Sequence, residues 1–242
     1  MKIGGLLVAL VAATCVAQQQ SESTAIVPFV GCPSDGQLGP QPAPHGRARL
    51  VHVSAESAKH LAYFRGPDGI GVLGPRGWHC FENYGSNGRS LYVSPSPIGS
   101  QQLVGDTWKG FSGPAIQLSY SQGDTSGRFE VAKIAARVFP AFSSYVSDVE
   151  SQGITPQFAR GPFPRDIVAY RNKRLLEFTT PPHSEGLGTQ SRLSANDSAI
   201  QGFAMLVGEE PSLIHLSLRL PPELASLAPV IIREAERAQA FK

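Results

Sequence analysis

From Leu213 to Leu220 the chain alternates without a break. Ile214, Leu216, Leu218 and Leu220 fall on one side, and His215, Ser217 and Arg219 on the other. That period of two is a strand with one face buried, because a shift by one residue would bury His215 and Arg219 instead. Ile200 to Val207 precedes it across Gly208-Glu209-Glu210-Pro211-Ser212, which makes a hairpin. A second hairpin is read from Asp166 to Arg171 and Arg174 to Thr180, flanking Asn172-Lys173. Upstream the period changes. Val131, Ile134, Ala135, Val138, Phe142, Tyr145, Val146 and Val149 keep helical spacing, interrupted by Pro140 and stopped by Gly153. A kink or two helices meeting near Phe139 are expected. Pro221 ends the last strand, and Glu223 to Ala240 reads as a closing helix restarted at Pro229. Hairpins between a long amphipathic helix and a C-terminal one predict an α+β fold, an antiparallel sheet covered by helices as a sandwich. On this reading Ile214, Leu216, Leu218 and Leu220 face the helices, and His215 and Arg219 face away.

The N-terminal half is less regular. Pro33, Pro40, Pro42 and Pro44 make Gly31 to Gly46 a loop, with Cys32 as its tether. Leu50 to Val53 reads as a strand and Ala55 to Ala62 as a helix capped by Ser54. Arg65 to Arg89, rich in glycine, reads as tight turns around Trp78 and Cys80. Trp78 is expected to anchor that stretch to the core. Leu91 to Val93 and Ala115 to Tyr120 are strands.

The first seventeen residues place Lys2 before an apolar run, Ile3 to Ala13, with small residues at Cys15 and Ala17. This is the order of a secretory signal peptide cut after Ala17. Cys15 as an acylated residue is the alternative, although Thr14 is bulkier than the residue usual before such a cysteine. The run is too short for a permanent transmembrane helix. The expected division is therefore 1–17 as signal, 18–46 as a Pro/Gly-rich segment and 47–242 as one α+β domain, exported to the periplasm or beyond. Signal removal takes Lys2 and lowers the formal net charge from +2 to +1. A balance that close to neutral gives no footprint for nucleic acid.

Cys32 and Cys80 remain, and in an oxidising compartment an even pair favours a disulfide over free thiols or a metal site. Closing a loop of roughly fifty residues contributes on the order of 4 kcal/mol in the chain-entropy model. His79 beside Cys80 suggests thiolate chemistry, but adjacent side chains point apart and a disulfide would consume the sulfur.

Other chemical signatures fail on spacing. Gly110-Phe111-Ser112-Gly113 and Gly85-Ser86-Asn87-Gly88 lack the nucleophile-elbow pattern. No phosphate loop or dinucleotide fingerprint occurs, so no cofactor is implied. Histidines 45, 52, 60, 79, 183 and 215 form no close ligand pair, and no metal site is assigned. Asn196-Asp197-Ser198 is a glycosylation sequon only in a eukaryotic host.

The long connection from Pro181 to Ala199 is the ligand-binding candidate. His183 and Glu185 could supply acid and base, and Thr189, Ser191 and Arg192 could orient a ligand. The alternative is that these side chains satisfy the loop's own backbone. The expected function is a non-enzymatic binding or accessory domain for an unknown small ligand or envelope protein. A hydrolase using the 181–199 loop and a structural envelope component are the alternatives. The element order with the turn Pro75-Arg76-Gly77-Trp78 resembles the Mog1/PsbP-like sandwich over Gly71 to Lys242. Gly77-Trp78-His79-Cys80 and Gly186-Leu187-Gly188-Thr189 are similar to segments of uncharacterised exported bacterial proteins. That second resemblance implies no activity.

Overall fold

A computed structural model describes residues 23–67, 69–104 and 108–239. The expected signal peptide, with Cys15, lies outside the described residues. The strand over Ser212–Arg219 is β13, the last of thirteen strands among the described residues. The others are β1 Ala25–Val27, β2 Phe29–Gly31, β3 Ser34–Gly36, β4 Arg49–Val51, β5 Leu61–Arg65 and β6 Gly71–Pro75. They continue as β7 His79–Gly85, β8 Gly88–Ser94, β9 Ala115–Ser121, β10 Ile167–Asn172, β11 Leu175–Thr180 and β12 Ile200–Val207. The helices are α1 Ala55–His60, α2 Ser100–Val104, α3 Arg128–Val138, α4 Ser143–Ser151 and α5 Ala228–Gln239.

Strands β10-β11-β12-β13-β9-β8-β7-β3 form one eight-stranded sheet, antiparallel except where β3 joins β7 in parallel. Three further strands, β2-β5-β6, form a smaller sheet, and β1 pairs with β4 as a ribbon. The fold is an α+β sandwich, as expected. On one face of the large sheet, α3 and α4 pack Val131, Ile134, Val138, Val146 and Val149 against Leu176, Ala204, Leu206 and Leu213. On the other, α5 and the small sheet pack Ile231, Ile232, Phe64 and Val72 against Leu118, Phe203, Ile214, Leu216 and Leu218.

Covering both faces overturns the expectation that β13 has an open side. Every residue of β13 is buried. The alternation is real, but it separates two interiors, one apolar and one partly polar. His215 stacks against Phe178 with ring centroids 5.5 Å apart, and its Nε2 lies 3.4 Å from Ser217 Oγ. Burial, helped by the charge of Lys133, pushes this imidazole down to about 4, so it sits there neutral. Arg219 is buried as a charge because its donors are used: they reach the carbonyls of Gly113, Phe111 and Ser194 at 2.7 to 3.0 Å. One guanidinium thus ties the loop before β9 to the loop before β12.

Pro140 divides the amphipathic stretch into α3 and α4, joined by a 3-10 turn over Pro140–Phe142 with Phe139 buried at the junction. Gly153, at φ +67°, follows α4. Three readings are corrected. Ser34–Gly36, inside the stretch read as a loop, is β3 and pairs in parallel with β7. Ser54 does cap α1, accepting from the Ser57 amide at 3.1 Å, but the helix ends at His60. Leu61 and Ala62 belong to β5, where burial outweighs their helical propensity. The glycine-rich stretch from Arg65 to Arg89 is mostly strand. Gly71 is there because an added Cβ would meet the Tyr63 hydroxyl at 2.3 Å, a close approach between paired strands. Gly77, at φ +80°, makes the turn from β6 into β7, with the Trp78 amide donating to the Pro75 carbonyl at 3.3 Å. Trp78 is half-buried against the core.

Since both faces of β13 are covered, Leu216→Asp and Ser217→Asp should each cost on the order of 3 kcal/mol or more, the penalty for an unpaired buried charge. Ser217→Ala should stay within about 1 kcal/mol. Urea melts of the three variants check this, and a Ser217→Asp melt close to wild type would mean the face is open.

Candidate functional site

The 181–199 loop is held by its own groups together with Thr180 and Asp166 beside it. Thr180 Oγ1 donates to Asp166 Oδ1 at 2.7 Å and accepts from the Gly188 amide at 2.9 Å. Asp166 Oδ2 accepts from the Leu187 amide at 2.7 Å. Thr189 Oγ1 donates to the Gly186 carbonyl and accepts from the Gly186 amide. Ser191 Oγ donates to the Gly188 carbonyl and accepts from the Leu193 amide. Thr189 and Ser191 are therefore engaged in closing a 3-10 turn over Leu187–Gln190, whose Leu187 is fully buried.

The exposed members of the set lie apart. His183 has a positive φ of 52°, and its Nε2 is 2.8 Å from Asp197 Oδ1. Glu185 is exposed with no ion pair among the described residues. The Arg192 amide donates to Gln117 Oε1 at 2.6 Å, and its guanidinium lies 5.8 Å from the Trp108 ring centroid, beside Tyr92. Among the described residues, no contact joins His183, Glu185 and Arg192 to one another.

A more enclosed site forms in the Pro-rich segment. Gly46 lies against the Phe29 ring, where an added Cβ would approach ring carbons to 2.7 Å, and at Gly31 it would meet the Pro44 carbonyl oxygen at 2.0 Å. Residues 44–49 are thereby laid along β2. The parallel pairing of β2 with β5 sets Phe29 opposite Tyr63, and the Tyr63 amide donates to the Pro28 carbonyl at 2.9 Å. Between the segment and β5 opens a cleft of about 430 Å³, lined by Phe29, His45, Arg47, Arg49, Tyr63 and Arg65 among others. Among the described residues that line it, none is acidic. The Arg49 guanidinium lies 4.2 Å from the Tyr63 ring centroid, a cation–π contact. Burial raises the Tyr63 phenol above its usual range, against the pull of Arg49 and Arg65, so it remains a neutral hydroxyl.

The cleft's base is covalently fixed. Cys32, next after β2, is joined to Cys80 of β7, and its amide donates to the Arg65 carbonyl at 2.9 Å. The expected disulfide is present and ties the cleft to the large sheet. From its prolines alone this segment reads only as a tethered loop. Its signal is the spacing of His45, Arg47 and Arg49, which places two arginines and a histidine on one side of an extended chain.

Under the Arg65 end lies Glu82 of β7, fully buried, with both carboxyl oxygens lacking a partner. Gly66 covers it so closely that any side chain there would collide with the carboxyl. Ser34, opposite Glu82 in the β3–β7 register, is buried with an unpartnered Oγ. Burial pushes the Glu82 carboxyl up to about 7, with Arg65 opposing the shift. Among the described residues no group of three His, Cys, Asp or Glu side chains could hold a metal ion, and no helix is long and apolar enough to cross a membrane.

Comparison with known proteins finds no matching family model, curated sequence or solved structure. The fold and the cleft therefore stand on their own geometry, and the Mog1/PsbP-like resemblance rests on element order and the Pro75–Trp78 turn alone.

Two outcomes follow from this geometry. Glu82 binds a proton more tightly folded than unfolded, so its contribution to stability is present below about pH 4.5 and is lost as pH rises through about 7. Glu82→Gln removes that loss. The difference in melting temperature between Glu82→Gln and wild type should grow from pH 4.5 to 7 and then level off. A difference independent of pH would show that the carboxyl does not titrate in this window. Replacing both Cys32 and Cys80 with serine should cost roughly 2–5 kcal/mol in urea melts, as for other native disulfides.

Proposed function

We propose that this chain is an exported, non-enzymatic binding or accessory domain, and that the cleft between residues 44–49 and β5 is where it holds its ligand. The carrying observation is the cleft itself: about 430 Å³ of open space with an aromatic wall and an arginine rim, fixed to the core by the Cys32–Cys80 bond. Its size falls within the usual range for small-molecule sites. The disulfide supports the exported reading, since such bonds persist in oxidising compartments. The signal-like order of residues 1–17 supports it independently.

The hydrolase alternative has one observation in its favour, the His183–Asp197 pair on the 181–199 loop. A base oriented by a carboxylate still needs a nucleophile within hydrogen-bond reach, and no such bond to the His183 ring joins a serine, threonine or cysteine among the described residues. His183→Ala separates the readings, because it should leave ligand binding in the cleft intact.

Ala48 is an exposed cleft-lining residue, so Ala48→Trp should fill the space with stability changed by no more than about 0.5 kcal/mol. A thermal-shift screen of neutral, cationic and anionic small molecules, together with extracts of the native envelope, should yield a saturable stabiliser of wild type. At a hundred times its Kd such a ligand adds about 2.7 kcal/mol. Ala48→Trp should abolish the shift. Protection that survives Ala48→Trp, or no protection from any source, would overturn the assignment.

A further inference from the structure

Most arginines described elsewhere in this protein have committed donors. Arg76 serves the carbonyls of Leu61 and Ala58, Arg219 serves three loop carbonyls, and Arg160 and Arg171 pair with Glu150 and Glu177. The cleft differs. Arg47, Arg49 and Arg65 converge on one concavity, and among the described residues none of their side chains has a hydrogen bond or an ion pair. Three like charges in one cleft repel each other, and this costs stability unless an anion joins them. The buried Glu82 carboxyl acts on Arg65 from beneath, and among the described residues no carboxylate lines the cleft itself.

We propose that the cleft recognises a small multivalent oxyanion, an organic molecule carrying at least two phosphate or carboxylate groups; this rests on the reading of the chain as a binding domain. A guanidinium presents a planar fork matched to an oxyanion, and three forks match more than one such group. Arg49 is held on the Tyr63 ring face, so its fork is pre-positioned and loses less freedom on binding. His45, on the same side of the segment, adds a fourth donor. Phe29 and Tyr63 supply an apolar wall for the body that carries the anionic groups. The occupant is compact because the charge is. Among the described residues, arginines outside the cleft are largely answered by carboxylates or carbonyls, which argues against a basic track for a polymer or a lipid surface.

Isothermal titration of the oxidised protein with tripolyphosphate and with citrate tests this, with orthophosphate and glucose as controls. A heparin-derived oligosaccharide and phosphatidylserine vesicles form the macromolecular arms. Tripolyphosphate or citrate should bind with one-to-one stoichiometry and weaken as salt rises from about 50 to about 300 mM. Arg47→Gln and Arg65→Gln should each lower the affinity about tenfold, and together about a hundredfold. Arg65→Lys, which keeps the charge and loses the fork, should fall between wild type and Arg65→Gln. Arg47 is exposed and free of internal bonds, so Arg47→Gln keeps the fold and carries the test even if Arg65→Gln melts early beside Glu82.

Three results would overturn the proposal. The first is compact-anion binding that is indifferent to both arginine substitutions. The second is tight binding of heparin or vesicles without the compact anions, which would make the cleft part of a macromolecular footprint. The third is a neutral ligand that Ala48→Trp excludes while no anion binds; the binding domain then stands and the oxyanion reading fails. If nothing binds and Ala48→Trp changes nothing, the binding-domain reading falls with it.

Discussion

The architecture depends on burying β13 from both sides. It lies fourth in the large sheet with β12 and β9 as neighbours, and both of its faces are interior. Each face demands its own cover. One is met by α3 and α4, the other by α5 with the small β2-β5-β6 sheet. A layer on each side follows, and with it the need to neutralise the polar groups that β13 carries inward. Neutral His215 and the carbonyl-saturated Arg219 meet that need by different routes, one by giving up its charge and the other by using its donors.

The small sheet is what makes the N-terminal segment more than a tail. Pairing β2 with β5 gives residues 44–49 a surface to lie along, and the Cys32–Cys80 bond fixes that arrangement to β7. Glycines at 31 and 46 permit the contact, since any side chain there would push the segment off the strands. The same device recurs at Gly66, whose missing side chain leaves room for the Glu82 carboxyl. Cleft, disulfide and buried acid are thus adjoining parts of one region.

Elements with a strong period were legible in the sequence. The two hairpins, the split at Pro140 and the terminal helix all follow from spacing and proline position. What was not legible was the second cover of β13. A period-two pattern reports a difference between two faces, and serine, histidine and arginine read as solvent-facing unless their partners are known. The partners of Arg219, the carbonyls of Gly113, Phe111 and Ser194, are distant in sequence. The stretch from Arg65 to Arg89 misled for a related reason: glycine marks turns, but it also marks strands that pack closely, and composition does not separate the two. The 181–199 loop was located, and the self-satisfying role of Thr189 and Ser191 was one of its two readings. The cleft was missed because its walls come from segments joined only by tertiary pairing, although the alternate cations from His45 to Arg49 were visible.

The placement of α5 has a consequence for the order in which the chain can mature. Its apolar residues cover β6, near the beginning of the chain, as well as β12 and β13 near the end. A chain emerging from its N-terminus can pair β2, β5 and β6 and bring Cys32 to Cys80 early, because these contacts are comparatively local. The apolar floor of that early unit then stays open to water until the final helix arrives. Maturation therefore has a long interval in which a nearly complete half exposes sticky surface, the condition under which nascent chains aggregate or recruit chaperones. The last helix acts as a closing latch for the first strands.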